Sequence, residues 1–193
     1  ITGEDYNLAP LNAGVDVLKV KSINRISSGI SKYFELSDIS GRYSSTDIFA
    51  KDGILYKDMV RDPSILIHEG IHAIIDQYVG LPSEGPGGSF NEGFADLFAG
   101  LILDNPKMGE ASYLKGSYRR SLENNLIAYR DFGPGVYQNG SIIGGTFWDM
   151  KNTLGTELTA KIAFRTLVRL GKGAQFDDFP LALDNACNGL LNA

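Results

Sequence analysis

The sequence predicts an α+β fold, a mostly helical domain with a small N-terminal β-element next to the helix that carries both histidines. Three observations predict it. Five segments after residue 61 carry apolar residues at helical spacing, and four of them stop at glycine or at Asn-Pro. Short strand-like runs gather before residue 57, around the turn Lys51-Asp52-Gly53. Glycine makes up 23 of the 193 residues, well above the usual ~7%, which points to glycine-punctuated connections between helices. A chain of this length is expected to form one domain. Its division is read as residues 1–80, an N-terminal subdomain ending in the histidine helix, and 81–193, a helical C-terminal subdomain.

Taken in order, residues 15–34 read as a helix through Ile23, Ile26, Ile30 and Phe34. Residues 42–50 and 54–56 read as short strands. Asp62-Pro63 is a strong helix start, since Asp caps free N–H groups and Pro is tolerated in the first turn. That helix should run to Val79 and stop at Gly80. Residues 80–90, GLPSEGPGGSF, are loop by composition. A helix is expected from Asn91 to Asp104, with Phe94, Leu97, Phe98, Leu101 and Ile102 on one face. Residues 107–140 give no clear pattern. Further helices are expected at 142–154, 157–170 and 178–191. Trp148, Phe147 and Cys187 read as core.

Composition removes several functions. Lys+Arg number 18 and Asp+Glu 23, a net charge of −5, so the basic footprint of a nucleic-acid binder is missing. No apolar run approaches the ~18 residues of a membrane span. A single cysteine cannot form an internal disulfide. The start at Ile1 is compatible with a leader already removed. A monomer is the expected state.

The chemistry is concentrated in His68-Glu69-Gly70-Ile71-His72, which holds both histidines of the chain. At i, i+4 on a helix two imidazoles stand one above the other and can share a metal ion. Glu69 projects about 100° away from His68, within reach of a water beside that metal. A catalytic zinc needs three protein ligands and one open position. With no third histidine and no second cysteine, the third ligand should be a carboxylate. Glu92, twenty positions after His72 in Asn91-Glu92-Gly93-Phe94-Ala95-Asp96, is the candidate. Asp96 lies one turn further on the same face and can accept an imidazole N–H. Asn91 is a second candidate for that supporting role. Each acid also has a bland reading, as a helix-dipole or solvent-facing carboxylate.

This pattern resembles the thermolysin-like, gluzincin group of zinc metallopeptidases, in a compact form. The likeness is best over residues 63–103, including Asp76 and Gly80-Leu81. It implies a zincin-type fold in which His68, His72 and Glu92 bind one zinc ion, Glu69 is the general base and Asp96 supports His68. Arg120-Ser121-Leu122 is similar to the segment where the family carries an arginine that binds the substrate carbonyl. Gly135-Val136-Tyr137-Gln138-Asn139, followed by Ile142-Ile143, is similar to the segment with the family's transition-state histidine. Residues 179–193 resemble the helix that closes such domains. The resemblance therefore implies a peptidase, of the endopeptidase kind, acting on peptides or proteins, and it favours a secreted or extracytoplasmic setting.

Three departures bear on these expectations. Tyr137 stands in place of the transition-state histidine; a phenol can also donate a hydrogen bond to an oxyanion. Ser83 stands where a tyrosine is usual. Ser64 and Leu103 replace acids of the family's calcium sites, so calcium is not expected. The resemblance also implies that Ile65 and Arg119 sit near the pocket for the residue after the cut, and that residues 46–50 are the edge strand for an extended substrate. Two other readings stay open: an exopeptidase of the same zinc group, and a zinc-binding module that is not catalytic or whose site has decayed.

Overall fold

The structure is a computed structural model that describes residues 5–8, 18–23, 47–51, 55–57, 59–128 and 130–191. Three strands open the chain: β1 (Asp5–Leu8), β2 (Leu18–Ile23) and β3 (Asp47–Lys51). They form one mixed sheet in the order β1-β2-β3. β1 and β2 run antiparallel, with Tyr6 opposite Val20. β2 and β3 run parallel, with Val20 opposite Ile48. β3 contacts the histidine helix, so the β-element lies beside that helix.

The helix expected over 15–34 is corrected at 18–23, where the chain is β2. Leu18-Lys19-Val20-Lys21 alternates apolar and charged residues with period two, and the β-branched Val20 and Ile23 favour a strand. The helical reading was carried by Ile26, Ile30 and Phe34, and residues 15–17 and 24–34 lie outside the described residues. The strand expected over 42–50 occurs as β3, displaced toward its C-terminal end, with 42–46 outside the described residues. Of the strand expected at 54–56, Tyr56 makes an isolated antiparallel bridge to Tyr113.

A short 3-10 turn, Met59–Arg61, leads into α1 (Pro63–Tyr78). Asp62 caps it, accepting a hydrogen bond from the Ser64 N–H at 3.1 Å. Gly80, at φ 67°, closes it in the left-handed region that glycine occupies without strain. α2 (Gly85–Leu103) starts six positions earlier than its apolar stripe suggests. The glycines that read as loop are helical because the chain folds tightly onto its own turn. A Cβ on Gly88 would stand 2.5 Å from the Ser83 carbonyl oxygen. Pro86 sits in the first turn, where it costs no hydrogen bond.

The unreadable stretch after α2 contains a small antiparallel ladder, β4 (Lys107–Met108) with β5 (Arg120–Ser121). Then follow α3 (Val136–Leu154), α4 (Thr156–Leu170) and α5 (Asp178–Leu191). α3 begins at Val136 rather than near residue 142. Its first two turns hold Asn139, Gly140 and Ser141, which carry no apolar periodicity yet are buried.

The core is built around α2. Phe90, Phe94 and Leu97 are fully buried and pack with Ile143, Phe147 and Trp148 of α3 and Ile162 and Leu167 of α4. Phe147 touches both Phe94 and Phe179 edge to face or tilted, at 5.5 and 5.8 Å between ring centres. Cys187 packs half-buried against the same core. α2 and α3 approach closely because glycines face each other. A Cβ on Gly93 would lie 2.7 Å from the Gly140 carbonyl oxygen, and one on Gly144 would lie 2.9 Å from the Gly93 carbonyl oxygen. That contact sets the first turn of α3 against Glu92.

Candidate metal centre

α1 and α2 bring their polar residues together at one buried spot. His68 and His72 are buried on α1, and their rings meet edge to face with centres 4.5 Å apart. The two Nε2 atoms are 2.9 Å from each other. Glu92, on α2, places Oε2 3.3 Å from His68 Nε2 and Oε1 3.7 Å from His72 Nε2. One donor atom from each of the three residues can thus be chosen with all separations within 4.8 Å.

These residues fit a zinc ion. Tetrahedral ligands at about 2.0–2.1 Å stand roughly 3.3 Å apart, and the separations of 2.9, 3.3 and 3.7 Å bracket that value. Glu92 Oε2 is buried without a well-formed hydrogen bond, as expected of an oxygen whose natural partner is a cation. Two imidazoles and a carboxylate are also a donor set that zinc favours.

Outer residues orient these donors. His72 Nδ1 lies 2.7 Å from Asn91 Oδ1; as Nδ1 donates there, the Nε2 lone pair is directed at the centre. His68 Nδ1 lies 2.7 Å from Asp96 Oδ1. Asp96 is itself held by Arg120, whose Nε and Nη2 donate to Oδ2 and Oδ1 at 2.5 and 2.8 Å. Arg120 Nη2 stands 3.8 Å from Glu92 Oε2, and the guanidinium lies 4.9 Å above the Tyr137 ring.

The electrostatics follow from burial and these contacts. Burial opposes charge on His68, but Asp96 and Glu92 outweigh it and raise its pKa to about 10. Burial and the neighbouring His68 charge lower His72 to about 4. Burial raises Glu69 to about 7, against the pull of His68 and with the push of Glu92. Burial also works against ionised Asp96, yet Arg120 and His68 hold its carboxyl well below the usual range. Tyr137 is raised to about 12, chiefly by partial burial and then by Glu92, so its phenol keeps its proton at neutral pH.

A cavity of about 510 Å³ opens beside the donors, and His68, Glu69, Arg120 and Tyr137 all line it. The structure thus gathers every sequence-selected site residue around one centre. Sequence reading missed three further contributors. Tyr56 lines the cavity from the segment before α1. Asp62 ties the start of α1 to residues fifty positions away, accepting from Ser112 Oγ at 2.7 Å and from the Ala111 N–H at 3.1 Å. Gly140, whose Cβ would meet Glu92 Cβ at 3.1 Å, leaves room for the Glu92 side chain. The repeated spacing Gly140-x-x-x-Gly144 was the available signal for a close helix crossing.

The fold is α+β and protealysin-like, and it brings together a His/His/Glu group that could hold a metal ion. It is similar to a zinc metalloproteinase of Listeria monocytogenes serovar 1/2a (strain ATCC BAA-679 / EGD-e), 33% identical in an alignment 148 positions long that covers 66% of this chain. The aligned part spans 29% of that protein's length. Among solved structures it resembles the precursor of protealysin, a metalloproteinase from Serratia proteamaculans, with a TM-score of 0.66 and 18% identity. That match covers 75% of this chain and 57% of the other. No family profile matches the chain.

Proposed function

We propose that this chain is a zinc-dependent peptidase, cutting within peptide chains, and that its two subdomains act as one catalytic unit. The convergence of His68, His72 and Glu92 on one point, with Glu69 on the adjoining cavity wall, is the observation that carries this reading. His68 and His72 through Nε2 and Glu92 through a carboxylate oxygen are the residues that would hold zinc. When bound, zinc polarises the scissile carbonyl and brings the pKa of water toward about 7.

The remaining work falls to the chain. Glu69 accepts the proton of the attacking water and delivers it to the departing amine; a carboxyl raised to about 7 is suited to both halves of that task. Asp96 and Asn91 fix the two imidazoles in the orientation that presents their Nε2 lone pairs. Tyr137 O–H, still protonated at neutral pH, is the available donor to an oxyanion formed in the cavity. Arg120 supports this donor by stacking on its ring, and its remaining N–H capacity faces the cavity. β3, at the edge of its sheet beside α1, offers backbone groups to an extended substrate.

The test is Glu69→Gln. Zinc content should stay at one ion per chain while peptide cleavage falls by roughly 10²–10⁴. Cleavage at the wild-type rate would remove Glu69 as base. Absence of any chelator-sensitive cleavage by the unaltered chain would favour the non-catalytic zinc module.

A further inference from the structure

The cavity beside the metal donors carries two adjacent arginines with different electrical fates. Arg120 is neutralised by Asp96 through two hydrogen bonds and faces Glu92 as well. Arg119 also lines the cavity, but it has no ion-pair partner among the described residues. Its guanidinium lies over the Tyr113 ring at 5.6 Å. Tyr113 in turn stands 5.6 Å from Tyr56, another lining residue. Stacking on an aromatic face orients a guanidinium without neutralising it.

The backbone fixes where this charge sits. Arg119 N–H donates to the Met108 carbonyl at 2.8 Å, directly beside the β4–β5 ladder. Leu55, Met59 and Ile65 give the same cavity its aliphatic lining. The cavity thus offers an entering side chain both buried hydrocarbon and, on its exposed side, a cation with no ion-pair partner among the described residues. Glutamate matches that combination, with two methylenes and a carboxylate that a guanidinium can bind through two N–H groups. Lysine presents the wrong sign to that guanidinium.

We propose that the cavity selects peptides with an acidic side chain, glutamate above all, next to the cleaved bond, and that Arg119 is the residue that recognises it. This inference rests on the peptidase reading of the same site. Arg119 is exposed, so the preference should weaken as salt screens it.

The experiment uses zinc-loaded protein and four quenched peptides differing only in Glu, Gln, Leu or Lys beside one bond, with cut sites located by mass spectrometry. The unaltered chain should favour Glu over Gln by about tenfold in kcat/KM, and Glu over Lys by more. Arg119→Glu should reverse the order of Glu and Lys. Each ratio is taken within one variant, so partial misfolding cancels. A second arm measures fluorescence anisotropy of the same peptides on Glu69→Gln and on Glu69→Gln with Arg119→Glu, where turnover plays no part. Equal handling of Glu and Gln by the unaltered chain, or ratios that ignore Arg119→Glu, would overturn the proposal. If nothing is cut but the binding order still follows Arg119, the peptidase reading fails and acid recognition stands. If neither cutting nor ordered binding occurs, both fall.

Discussion

Asp96 holds Arg120 through both carboxylate oxygens, at 2.5 and 2.8 Å, while the same carboxylate lies 2.7 Å from His68 Nδ1. One buried side chain therefore links the strand β5 to an imidazole of the candidate metal centre. Arg120 is mainly a positioning residue in this arrangement, because most of its charge is already answered. Asp96→Asn keeps the shape and removes the charge. Zinc affinity should fall about 10–100-fold, read by competition with a coloured chelator. Stability should fall too, by about 3–5 kcal/mol, because Arg120 is left with an uncompensated partly buried charge. Unchanged zinc affinity would show that Asp96 serves packing alone.

The contact between Gly140 and Glu92 leads to a different kind of test. A Cβ at position 140 would stand 2.9 Å from the Gly93 nitrogen and 3.1 Å from Glu92 Cβ. Gly140→Ala should cost about 1–3 kcal/mol by overpacking and loosen zinc as Glu92 is displaced. Gly133→Ala is the control, since a Cβ there meets nothing within 4 Å. Urea unfolding with zinc titration on both variants decides it; equal behaviour would mean the helices simply shift apart.

Asp62 is the third case. It accepts from Ser64 N–H, Ser64 Oγ, Ser112 Oγ and the Ala111 N–H, and Ser64 Oγ in turn accepts from the Gly109 N–H at 2.8 Å. This network joins the N-terminus of α1 to the turn before β5. Asp62→Ala strands several buried donors, each costing about 1–3 kcal/mol when unpaired, in addition to the lost helix cap. The urea midpoint should drop by an amount equivalent to about 3 kcal/mol with the slope unchanged. A loss below about 1 kcal/mol would mean that water replaces the carboxylate at every donor.

What could be read from the sequence was whatever a helix's rigid period dictates. His68 and His72 share a face, and Glu92 and Asp96 share another, because 3.6 residues make a turn. Asp62-Pro63 and Gly80 bounded α1 for equally local reasons. β2 is hard to read because its alternating run is short and is followed by isoleucines at helical spacing. The early starts of α2 and α3 were hidden by glycines whose role is tertiary: they let backbones touch, and composition alone cannot separate that from a loop. The pairing of Arg120 with Asp96, twenty-four positions away, and of Asp62 with Ser112 depends on chain paths that no local pattern encodes.

Zinc and a proton compete for the same place. In the metal-free protein His68, raised to about 10, carries a proton at neutral pH between Asp96 and Glu92, whereas His72, lowered to about 4, is neutral. Zinc needs both imidazoles unprotonated at Nε2, so its uptake should release about one proton from His68 and none from His72. Calorimetry in buffers of different ionisation enthalpy measures that number. The same shifts set the stability of the metal-free form. The His68 contribution is complete below its ordinary value of 6.5 and is lost as pH rises through about 10. The His72 contribution is present above 6.5 and is lost as pH falls through about 4. These two groups therefore favour greatest metal-free stability near neutral pH, with zinc adding stability by binding the folded state alone. Zinc uptake at pH 7 with no proton release would show that His68 is already neutral and that the carboxylates around it do not govern its charge.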